Sequence, residues 1–194
     1  MGPELPGVAA WLAVSLVPLA AVCCTAFAKA SVVFSAVRVG LGAEGLLPWS
    51  AVFALAVVVS AVVMGPVLQE SAALWSVGGP VDVAGSWGVL EAFLSRHADP
   101  SEVAYFAGLN EVASAHPLAV VPAFLVTELG EALEMAVVIV VPFVLVDLCV
   151  AQLVALAGLS GQVASSASLP VKLMLFLAVG GWDVVVRGLA EGYA

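Results

Sequence analysis

Apolar residues in this chain fall in long blocks, not at strand or surface-helix intervals. Residues 8–27 and 46–68 each run for at least twenty positions without a charge, enough for a helix to cross a hydrocarbon core of about 30 Å. The connection between them, AKASVVFSAVRVGLGAEG, holds Lys29 and Arg38 and is predicted to face the cytoplasm, because basic loops tend to stay inside. Residues 69–117 differ in character, with Gly78-Gly79-Pro80, Asp99-Pro100, both histidines, six acids and one base, Arg96. Within them DPSEVAYFAGLNEVASA predicts a helix capped by Asp99 or Ser101, with Val103, Phe106 and Leu109 on one face. Two spans before it would put this helical insertion on the non-cytoplasmic side. Residues 118–159 are apolar again but carry acids, and are predicted as a long acidic-striped hairpin. A polar loop at 160–168 and a C-terminal hydrophobic helix at 169–194 complete one all-α domain of integral membrane type.

The acids of the third block are its unusual feature. On a helix Glu128, Glu131 and Glu134 fall within about 120° of one another, opposite an apolar face of Leu125, Leu129, Ala132 and Ala136. Residues 118–156 hold twenty-two Leu, Ile, Val or Phe, worth about 7–13 kcal/mol of insertion free energy. Glu128, Glu131, Glu134 and Asp147 cost about 10–14 at a helix centre. The two sums nearly cancel, so these carboxylates need protein or water beside them. A subunit interface, a proton pathway and paired-carboxylate catalysis all fit the spacing. Near the chain's end Asp183 and Arg187 stand at i,i+4 and can neutralise each other.

Composition agrees with a membrane class: 63% of the 194 residues are apolar and 10% charged, and mean hydropathy is +1.19. Net charge is -9, which argues against a nucleic-acid partner. Cys23, Cys24 and Cys149 form no disulfide framework. The stretch 8–27 lacks a basic flank and ends at Phe27, so it is read as a retained segment, not a cleaved signal. GLGAEG, residues 40–45, matches a dinucleotide glycine pattern but precedes a membrane block, so it reads as a turn. His97 and His116 lack metal-site spacing, and there is no nucleophile elbow or phosphate-binding loop motif. No catalytic residue, metal or cofactor is expected.

Four blocks carry a family resemblance. Thr25-Ala26-Phe27-Ala28-Lys29 is followed by Arg38-Val39-Gly40-Leu41-Gly42 and Pro48. Met64-Gly65-Pro66 comes next. Pro122-Ala123-Phe124 then leads through Thr127-Glu128-Leu129 to Pro142-Phe143 and Asp147. Ser168-Leu169-Pro170-Val171-Lys172-Leu173 is followed by Phe176 and Gly181-Trp182. In order and spacing they resemble the R/P-type export-gate subunits of type III secretion and flagellar export (the SctR/FliP family), over roughly residues 15–190. Gly180 departs from the family's usual Asp, and Ala43-Glu44 from its paired glutamines.

The resemblance implies a non-enzymatic subunit of the bacterial inner membrane. About five copies would assemble with related S- and T-type subunits (Q- and R-type in flagella) into a helical cone, largely on the periplasmic side. That cone would form the entrance for unfolded exported proteins. Lys29 and the lack of a cleaved signal favour the secretion branch over the flagellar one. An autonomous proton-coupled transporter is the reading from a different class. Under the gate reading Lys29, Arg38, Glu128, Glu131, Glu134, Asp147 and Lys172 form an interface or polar network. Leu159, Ser160, Gly161 and Gln162 then stand where many members carry a methionine-rich pore loop, although no methionine is present here.

Overall fold

The computed structural model describes residues 5–75 and 83–193, which are helical throughout apart from turns and caps. The helices are α1 (Leu5–Cys23), α2 (Phe27–Leu41), α3 (Trp49–Val63), α4 (Gly65–Trp75), α5 (Val83–His97), α6 (Pro100–Asn110), α7 (Pro117–Leu156), α8 (Gly161–Ala178) and α9 (Gly181–Glu191). The Gly78-Gly79-Pro80 turn lies outside the described residues. The chain divides into two compact units, Met1–Ala28 with Ser60–Glu128, and Lys29–Val59 with Leu129–Ala194.

Both uncharged blocks are broken helices, where the sequence predicts single spans. The first stops at Cys23 and resumes at Phe27 as α2, so most of the expected connection, including Lys29 and Arg38, is helix. The Thr25 hydroxyl, which donates to the Ala21 carbonyl and accepts from the Ser60 hydroxyl, sits in the break. The second block breaks at Met64, because Pro66 in the next turn has no N–H to continue the ladder. Helices α7 and α8 are each long and apolar enough to cross a membrane, and each broken pair could add one span.

In the first unit α4 packs on α5. The Phe93 ring sits 4.8 Å from His97 and 5.9 Å from Phe124 of α7. Asp99 caps α6 by accepting from the Ser101 N–H, and its own N–H donates to Thr127 Oγ1. The buried side of α6 is Ala107 flanked by Val103 and Phe106, whereas Leu109, expected on the same face, is exposed.

The second unit is built on α2, the later part of α7, α8 and α9. Val33, Phe34, Val37, Leu41, Phe143, Phe176, Val185 and Leu189 are buried there. Trp182 joins the rings of Phe34 and Phe176, and Phe176 meets Phe143.

Two predicted elements change. Residues 117–156 are one 40-residue helix, not a hairpin. Gly130 and Pro142 are isolated, and no cluster of turn formers interrupts them. At about 60 Å, α7 is twice as long as a hydrocarbon core is thick. The predicted polar loop shrinks to the turn after Leu156, and 161–168 open α8. Their serines looked like turn formers, but Ser165 and Ser166 donate to the Gln162 carbonyl and Ser168 to that of Ser165. Such back-bonding satisfies a hydroxyl within a helix.

Candidate functional site

Three of the five basic residues, Lys29, Arg38 and Lys172, are buried. Burying a cation costs free energy unless it is paired and hydrogen-bonded, so each one's partners show what holds the second unit together.

Lys29 lies in the first turn of α2. Its ammonium donates to the Glu131 carboxylate of α7, and the Tyr193 ring covers it with its centroid 4.7 Å away. A Cβ on Gly192 would stand 3.4 Å from this ammonium, so the chain passes close over it. Glu131 remains half exposed and keeps part of its hydration, which lowers the desolvation cost of the pair.

Lys172 of α8 reaches Asp147 of α7 at 2.6 Å. Its ammonium also faces Gly42, just past the end of α2. Gly42 has φ +66°, its N–H donates to Val39, and the Ala43 N–H donates to Arg38. That is a Schellman C-cap, and a helix C-terminus attracts a cation.

Arg38 donates from Nε to the Leu47 carbonyl at 2.7 Å and lies 4.4 Å from the Trp49 ring. It therefore holds the turn between α2 and α3.

The three glutamates do not share one environment. Glu128 is 1% exposed, Glu131 sits half out beside Lys29, and Glu134 is exposed. The face predicted as their apolar opposite is not the packed one, since Ala132 is buried like Glu128, one turn before it, while Leu129 is exposed. Farther along α7, Leu133, Val137, Val138, Val141, Val144 and Leu145 all project outward. Leu159, Ser160, Gly161 and Gln162 are exposed at the turn into α8. Asp183 and Arg187 pair at 2.6 Å on the surface.

Sequence reasoning missed Tyr193 and Trp49. No spacing rule connects Tyr193 to Lys29 from the far end of the chain, whereas Trp49 directly after Pro48 lies within reach of Arg38 by local geometry alone. Among the described residues no three His, Cys, Asp or Glu side chains converge as a metal-binding group.

Long apolar helices with three of five cations buried and valines outside define a membrane-type helical subunit. Residues 11–189 match the FliP family model, and the chain belongs to that family. Virulence protein YscR of Salmonella typhimurium is 31% identical, over 93% of this chain and 92% of its own. Yop proteins translocation protein R of Yersinia pestis is 30% identical, over 92% and 91%. Flagellar biosynthetic protein FliP of Caulobacter vibrioides is 29% identical, over 92% and 72%.

Proposed function

We propose that the chain is a core export-gate subunit of a bacterial type III protein secretion system. In this reading it sits in the inner membrane, with much of its mass on the periplasmic side. About five copies join related S- and T-type subunits around a channel for unfolded proteins. It binds no cofactor and catalyses no reaction. Lys29, Arg38, Glu128, Glu131, Asp147 and Lys172 shape the subunit, Glu134 is open to a neighbour, and Leu159 to Gln162 face the pore.

One observation carries the reading beyond family membership. The second unit places three of its four cations inside and leaves Val137, Val138, Val141 and Val144 of α7 bare, an arrangement suited to being covered by lipid and by sister subunits. Co-expression with the S- and T-type partners should give a discrete complex, and the purified chain alone should give no pH-dependent flux in liposomes. Glu128→Leu is expected to insert normally and assemble poorly. Wild-type complex yield from that variant would remove Glu128 from the assembly role.

A further inference from the structure

The chain has two lysines, and they sit in similar pairs. The Lys29 side chain is 2% exposed beside a Glu131 that is 51% exposed, and Lys172 is 7% exposed beside an Asp147 that is 46% exposed. What differs is the cover on the cation. Lys172 faces the end of α2 and borders a cavity of about 440 Å³. Over Lys29 lie the Tyr193 ring and the Gly192 backbone.

That cover is lightly anchored. Helix α9 rests on the second unit through Gly181, Val185 and Leu189, and Leu189 is its last buried residue. Beyond it Ala190, Glu191 and Gly192 are exposed and Tyr193 is half-buried. The Gly192 N–H donates to the Gly188 carbonyl and the Tyr193 N–H to that of Ala190. These bonds shape the segment without tying it to α2 or α7. The cation beneath is better fixed, because α2 buries Ala30, Val33, Phe34 and Val37. A segment with few buried apolar contacts opens at lower free energy than the core it covers.

We propose that residues 190–193 form a lid on Lys29, held by the face of the Tyr193 ring, which lifts while the second unit stays folded. Closed, the lid keeps the ammonium on Glu131 and away from solvent. Open, it turns a sealed cation into one that solutes reach. In a chain of net charge -9, whose exposed cations are Arg96 and Arg187, that is a large local change. The lid is a property of the single subunit and does not rest on the export-gate reading.

Acylation of the purified full chain in detergent micelles tests the lid. The probe is a water-soluble N-hydroxysuccinimide ester of acetate, and peptide mass spectrometry reads both lysines. In the wild type Lys29 is expected to react at a rate that denaturant leaves unchanged below the unfolding transition, since a local opening exposes little surface. Tyr193→Ala should speed that reaction about 10-fold. Tyr193→Phe, which keeps the ring face, should leave it at the wild-type rate. Lys172 should react alike in all three proteins, showing that the fold is intact. A Lys29 that reacts only as the chain unfolds would mean that the cover moves with the whole unit, and the lid is then wrong. It is equally overturned by an unchanged Lys29 rate in Tyr193→Ala, by Tyr193→Phe speeding Lys29 as much as Tyr193→Ala does, or by Lys172 speeding up in step with Lys29.

Discussion

Single residues explain features that the sequence displays without their reason. A Cβ on Gly181 would lie 2.2 Å from the Phe176 ring, and one on Gly40 2.6 Å from the Phe143 ring. Both glycines let an aromatic side chain rest on backbone. Gly181→Ala is expected to destabilise by about 1–3 kcal/mol through overpacking, read as a lower melting temperature of the purified chain. Gly180 has φ +64°, a region that glycine enters freely and Asn or Asp tolerate better than other side chains. Gly180 therefore holds this conformation without strain. Gly180→Asn should retain assembly and Gly180→Val should lose it, as scored by complex yield. Lys29, Glu131, Asp147 and Lys172, which form two ion pairs, stood out in the sequence as charges set within apolar stretches. Their pairing did not, since Lys29 meets Glu131 through a fold that brings α2 to α7, and local spacing carries no trace of that.

At the level of elements, legibility followed local chemistry. The Asp99 cap of α6 was readable because a cap is defined by its own few residues. The continuous α7 was misread as a hairpin from its length alone, and the start of α8 from serines whose helical back-bonds are invisible in composition. The cap also has a titration signature. Hydrogen bonds from the Ser101 side chain and backbone hold the Asp99 carboxyl below its ordinary range. A carboxyl lowered on folding contributes stability that is fully present above the unfolded value of about 3.9 and is lost as pH falls through the folded one. Exchange at the first-turn amides of α6, corrected for intrinsic rates, should therefore rise below about pH 4. In Asp99→Asn, which keeps an acceptor, this rise should vanish.

For the molecule as a whole, the informative quantity is where charge and oil sit. Lysine and arginine are almost never buried without a partner, yet most of this chain's cations are buried, while Val138 is 74% exposed. Composition alone announced a membrane protein but could not say which face of each helix turns outward, because the apolar blocks are nearly uniform around their circumference. The structure assigns the outward face of α7 to Leu133, Val137, Val138, Val141 and Val144. If lipid or sister subunits cover that face, a charge there must be desolvated, at about 2.5–3.5 kcal/mol at mid-depth for Arg. Val138→Arg should then abolish the discrete complex on native gels while the chain is still made. Val138→Leu, which changes only size on an open face, should assemble as the wild type does. Normal assembly of the Arg variant would mean that this face meets water, and the surface assigned to neighbours would have to be sought elsewhere on the chain.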